Sequence, residues 1–164
     1  QWRIAGDANW GRYDKALNSM YYGTGNPETG NPKQSPGVNK WWMPPWSLDV
    51  SKGNVNEVDH MTPLDDQDTV GITELSLAHI PFKGKPKALE HLDRNGFGYR
   101  HDRMTGAVVM AEMFDSKPKW ARHVDMRTGR PQVVKQYSTG QNGPDVNTKG
   151  VFPAALGTKD QHPA

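Results

Sequence analysis

"KALEHLDRNGFGYRHDRMTGAVVMAEMF", residues 87–114, decides how the rest of the chain is read. From Ala88 onward apolar residues fall into short runs, with Phe97 and Tyr99 two positions apart and so on one face of an extended segment. Asn95–Gly96 between two such runs is a hairpin-turn signal, and Thr105–Gly106 marks a second turn. The stretch therefore predicts strand, turn, strand, turn, strand: an antiparallel meander with short connections.

Outward from this meander a pentapeptide recurs. "DRMTG" at 102–106 and "DMRTG" at 125–129 share Asp-x-x-Thr-Gly, and "DVSKG" at 49–53 is a reduced third copy. The pattern suits a turn, since Asp and Thr accept backbone hydrogen bonds and Gly takes positive φ. One copy is an ordinary hairpin turn. Three copies in a strand-rich chain predict repeated β units, each with the layout of a propeller blade. Met20–Gly23 and Trp46–Val50 read as further strand islands. Between them, "NPETGNPKQSPGVNKWWMPP" at 26–45 reads as a long ordered loop whose two tryptophans pack against something.

The composition agrees. Of 164 residues 17 are Gly and 13 Pro, which leaves little room for long helices. Six Trp and five Tyr must supply much of a core whose apolar content is only 34%. A formal charge of +2 with dispersed Lys and Arg argues against nucleic acid. No apolar run approaches a membrane span, and with no cysteine neither disulfides nor thiolate metal sites are available. The chain opens on Gln1 and closes on "KDQHPA", so residues 1–164 are expected to be one partial domain cut at both ends.

Familiar catalytic motifs are missing. There is no Walker loop, no Gly-x-Ser-x-Gly elbow and no zincin histidine spacing. In "DDQDTVG", Asp66, Asp68 and Gly71 fit positions one, three and six of a calcium loop, but Val70 and Leu77 stand at the fifth and twelfth. That is no EF-hand. Read singly, Asp68 is an acidic loop residue, Asn26 a turn former, Trp10 a core aromatic and Arg94 an exposed hairpin arginine.

Taken in order, "NWG" (9–11), "YYGTGNP" (21–27), "PGVNKWWM" (36–43), "HLDRNGF" (91–97), "VDMRTGRPQVV" (124–134) and "KGVFPAALGTKDQ" (149–161) resemble the large subunit of pyrroloquinoline quinone (PQQ)-dependent methanol dehydrogenases. The wording is nearest the lanthanide-type branch. The resemblance implies an all-β fold, a segment of about two to three blades of an eight-bladed β-propeller. It implies oxidation of a short primary alcohol such as methanol to the aldehyde, in the periplasm, with electrons passed to a cytochrome c and a homo-oligomeric full-length subunit. Residue by residue, it places Trp10 as the floor under the quinone and Asn26 as a metal ligand. Asp68 becomes catalytic base and metal ligand, Arg94 the partner of the quinone oxygen and of Asp68, and Asp160 a further cofactor contact. The metal is calcium or a lanthanide. Val70 stands where lanthanide-type enzymes carry an extra aspartate, and a smaller carboxylate count favours calcium. Other expectations are a non-catalytic propeller scaffold, which need not retain Asn26, Asp68 and Arg94, and a quinoprotein dehydrogenase for larger alcohols or sugars.

Overall fold

A computed structural model describes residues 11–25, 45–58, 61–62, 71–143 and 146–160. Its first sheet is formed by β1 (Arg12–Asp14), β2 (Ser19–Tyr22), β3 (Trp46–Asp49) and β4 (Val55–Val58), adjacent in that order. The second contains β5 (Leu75–Ala78), β6 (Ala88–Leu92), β7 (Phe97–Asp102) and β8 (Val108–Met113), again in chain order. Every pairing is antiparallel. The predicted three-strand meander is thus β6–β8, and β5 adds a fourth strand. Its Leu75-Ser-Leu-Ala is too short to declare itself in the sequence. Two four-stranded antiparallel sheets are what two consecutive blades require.

β9 (Ala121–Asp125) and β10 (Arg130–Val133) form a separate two-stranded hairpin. Beyond Pro131, among the described residues, this strand end, a 3-10 turn at Lys135–Tyr137 and a four-residue helix, α1 (Thr139–Asn142), interrupt irregular chain. No helix among the described residues is long and apolar enough to cross a membrane.

All three repeats form the same turn. The carboxylates of Asp49, Asp102 and Asp125 accept the amides of Ser51, Met104 and Arg127 at 2.8, 3.1 and 2.8 Å. The closing glycines Gly53, Gly106 and Gly129 have φ of 69°, 70° and 70°. At Asp102 the Thr105 hydroxyl donates to the second carboxylate oxygen, 2.9 Å, and Lys85 lies 2.9 Å from it. Burial pushes this carboxyl up, but Lys85, the Met104 amide and the Thr105 hydroxyl outweigh burial and hold its pKa below the ordinary aspartate value.

Register divides the second sheet into two faces. Leu75, His91, Tyr99 and Ala111 form one rung, and Leu77, Leu89, His101 and Val108 the next. These share a face, as do Phe97 and Met113. Phe97 and Tyr99 are indeed on one side, both fully buried, with ring centroids 6.3 Å apart. Phe97 meets Trp120 edge-on at 6.0 Å, in a cluster with Met61, Ala121 and Val124. Tyr21 of the first sheet packs with Leu75 and Leu89 of the second. The alternate rung, Ser76, Glu90, Arg100 and Met110, is the more polar face.

The sheets are also tied at both ends. At one, Arg12 donates to the Leu75 carbonyl (2.9 Å) and pairs with Glu74 (2.6 Å). At the other, buried Arg103 meets buried Asp14 at 2.8 Å. The two ion pairs run parallel because β1 and β5 start at the same end.

Candidate functional site

Strand direction sorts the chain into two ends. The Asp49 and Asp102 turns connect β3 to β4 and β7 to β8 and lie at the Asp14–Arg103 end. At the opposite end lie the start of β1, the end of β2, the start of β5 and the β6–β7 hairpin. In the sequence Trp10 lies two positions before β1, Asn26 four after β2, Asp68 seven before β5, and Arg94 within the β6–β7 hairpin. Trp10, Asn26 and Asp68 are outside the described residues, but their described neighbours are informative.

Three close approaches bring these neighbours together. Gly11, beside Trp10, lies against the Tyr22 ring so closely that a Cβ would be 2.5 Å from Cε1. Gly23, three positions before Asn26, lies against the backbone of Gly71, three positions after Asp68. A Cβ on Gly23 would be 2.1 Å from the Gly71 carbonyl oxygen, so only glycine fits. Three residues span at most about 10 Å, so the two chain paths toward Asn26 and Asp68 leave from one point.

The third approach involves Arg94. Its hairpin is a tight turn: Gly96 N–H donates to the Asp93 carbonyl (3.1 Å), and Gly96 has φ of 93°. Asn95, fully buried, pins it. The Asn95 side chain accepts the Phe97 amide (2.9 Å) and donates to Tyr99 Oη (2.9 Å) and Thr62 Oγ1 (3.0 Å). Trp120 Nε1 donates to the Asn95 carbonyl at 2.7 Å. Thr62 and Gly71, the described residues on either side of 63–70, are thus held to the Arg94 hairpin and to Gly23 respectively. The sequence marks Asn95 only as a turn residue; its role as a junction has no local signature.

Arg94 is not the exposed hairpin arginine its sequence context suggests. Its guanidinium donates to the Ala155 carbonyl, and its Nε is buried without an acceptor among the described residues. Asp160 has an exposed side chain, while the preceding Lys159 is buried and donates to the Asp160 carbonyl at 3.1 Å.

Beneath Arg94 lies a buried acid. Asp93 is fully enclosed, and among the described residues its carboxylate oxygens have no close, well-aligned hydrogen-bond partner. His91 Nδ1 faces the Glu74 carbonyl at 3.1 Å; a carbonyl only accepts, so Nδ1 donates there. His91 Nε2 then faces Asp93 Oδ1 at 3.4 Å. Burial raises the Asp93 pKa, partly offset by His91 and by the amides of Arg94 and Asn95.

Among the described residues no cluster of three or more His, Cys, Asp or Glu side chains could hold a metal. The expected ligands Asn26 and Asp68 lie outside them.

The folds and sequences of known proteins agree with this architecture. No protein-family model matches the chain. Its sheets superpose on a europium-containing methanol dehydrogenase with TM-score 0.87 and 39% identity, over 94% of this chain and 27% of that one. The chain is 52% identical over its whole length to a lanthanide-dependent methanol dehydrogenase of Methylorubrum extorquens. It is 37% identical to methanol dehydrogenase [cytochrome c] subunit 1 of the same organism, over 98% of its length. It spans 29% and 26% of those two relatives. The chain is thus related throughout to the quinoprotein alcohol dehydrogenases, with two blades of their propeller. Within that class it stands with the methanol dehydrogenases, and its sequence is nearer the lanthanide-dependent relative than the subunit 1 protein.

Proposed function

We propose that this chain is part of a periplasmic PQQ- and metal-dependent dehydrogenase that oxidises a short primary alcohol to the aldehyde and passes electrons to a cytochrome c. Residues 1–164 are one portion of its propeller domain, and the full-length subunit is a homo-oligomer. The observation that carries the reading is convergence: the described neighbours of Trp10, Asn26 and Asp68, and Arg94 itself, meet at one end of two adjacent sheets.

The residues fit the cofactor. Arg94 Nε is a buried donor without an acceptor, and a quinone oxygen would satisfy it. When bound, the quinone supplies the two-electron acceptor and the metal a Lewis acid. Arg94 would hold the acceptor oxygen through its guanidinium, a planar fork of donors. Trp10 offers a flat apolar floor. Asn26 and Asp68 would offer the metal a neutral amide oxygen and a carboxylate, oxygen ligands that suit a hard cation. Asp68 takes the hydroxyl proton of the alcohol.

The deciding experiment uses the full-length protein reconstituted with PQQ and either Ca²⁺ or La³⁺. Methanol-dependent dye reduction is expected in the wild type and lost in Asp68→Ala with folding intact. Near-normal turnover in the variant removes Asp68 as the base. No turnover in the wild type with any primary alcohol moves a non-catalytic propeller ahead.

A further inference from the structure

Arg94 is clasped from outside its hairpin by a turn 60 positions away in the chain. Ala154–Gly157 closes through Gly157 N–H to the Ala154 carbonyl at 2.8 Å. From this turn the Ala155 carbonyl takes the Arg94 guanidinium. Immediately after it, the Thr158 amide and hydroxyl both donate to the Arg94 carbonyl, at 3.0 and 3.3 Å. The main chain and the side-chain tip of one arginine are therefore held by the same short segment. Between those grips lies Gly157, with φ of 70°. A Cβ there would be 2.7 Å from Arg94 Cβ, 3.0 Å from Cγ and 3.1 Å from Cα. The conflict is with the rigid root of the arginine, which cannot swing away as a side-chain tip could.

We propose that Gly157 is a positioning residue: having no side chain, it lets the 154–158 turn lie against the stem of Arg94 and aim its guanidinium toward the quinone. This rests on the reading that Arg94 contacts the quinone. Gly157 acts through Arg94 and touches no reacting atom.

The structure provides its own control. Gly150 has φ of 73°, almost that of Gly157, but no atom of the described residues lies within 4 Å of where its Cβ would be. Alanine at Gly150 therefore carries the conformational cost without the collision.

The test compares Gly157→Ala, Gly150→Ala, Arg94→Lys and Gly157→Ala/Arg94→Lys in the full-length protein. Three quantities are read: PQQ affinity of the apoprotein by titration, kcat, and thermal midpoint. Gly157→Ala is expected to weaken PQQ binding and lower kcat on the order of 10- to 100-fold, the scale of a small misplacement of a contacting group. Gly150→Ala lowers the midpoint alone. Placed on Arg94→Lys, Gly157→Ala adds no further loss in affinity or kcat, because the group it positions is already replaced. Wild-type affinity in Gly157→Ala, or losses that multiply with those of Arg94→Lys, overturns the proposal. If Gly157→Ala does not fold, Gly157→Asn carries the same Cβ on a residue that tolerates positive φ, and the same comparison decides. Wild-type affinity and turnover in Arg94→Lys instead remove the Arg94 reading, and this inference with it.

Discussion

The backbones of Gly23 and Gly71 touch so closely that a methyl group on Gly23 would be 2.1 Å from the Gly71 carbonyl oxygen. This contact joins the end of β2 in one sheet to the chain leading into β5 of the next. Gly23 lies three positions before Asn26 and Gly71 three after Asp68, the two candidate metal ligands. The Gly-x-Gly of "YYGTGNP" has a structural reason at its first glycine: the neighbouring backbone occupies the place of a side chain.

Gly23→Ala should therefore push the two paths apart. Overpacking of this kind costs about 1–3 kcal/mol, and here the neighbour that must yield is backbone. Metal content of the purified protein, measured by mass spectrometry, is expected to fall together with the thermal midpoint. Full metal occupancy in the variant would show that the contact has no part in assembling the site.

The Asn95–Thr62 hydrogen bond gives a second handle on the same junction. Thr62→Val keeps the shape but removes the acceptor, stranding a buried amide hydrogen at a cost of about 1–3 kcal/mol. Asn95→Ala removes several hydrogen bonds at once and should cost more. Because the two share a bond, the double variant should lose less than the sum. Strict additivity in chemical denaturation would mean that the bond contributes nothing.

Asp93 makes the stability pH-dependent. Burial raises its folded pKa above the ordinary 3.8, so the folded state holds a proton that the unfolded state has released. Its contribution is fully present below the unfolded value and is lost as pH rises through the elevated folded one. His91 moderates the loss by favouring the carboxylate. Asp93→Asn, permanently neutral, should gain on the wild type as pH rises out of the acid range. Thermal midpoints at intervals between pH 4 and 8 test this; parallel curves would exclude it.

Val70 is the position expected to bear on the choice between the two metals. Adding a carboxylate with Val70→Asp should shift the full-length protein toward trivalent ions, since ligand charge tunes affinity for hard cations. The measurement is the ratio of activities after reconstitution with La³⁺ and with Ca²⁺. An unchanged ratio would place the metal discrimination elsewhere. The overall sequence is nearer a lanthanide-dependent relative, so this one position sets local ligand chemistry against whole-chain kinship.

The turn pentapeptides and the β6–β8 meander were legible because their causes are local. An aspartate can reach an amide two positions on, and a glycine can adopt positive φ, without help from distant chain. β5 was not legible, because four residues hold too few alternations to distinguish a strand from a loop. The candidate site divides in the same way. Residue order and spacing placed Trp10, Asn26, Asp68, Arg94 and Asp160 in a family pattern, but could not say which partners hold them.

By itself the sequence determined an all-β chain of repeated hairpins, the positions of its turns, and its kinship. Only the tertiary structure decided that Arg94 is clasped rather than exposed, that Lys159 is buried beside an exposed Asp160, and that Asp93 lies enclosed beneath the hairpin. It also gave two glycines opposite meanings: Gly150 faces open space, and Gly157 faces the root of Arg94. Both have nearly the same φ. What distinguishes them is a neighbour more than 60 positions away in the chain, brought there by sheet packing, and no local pattern carries that information.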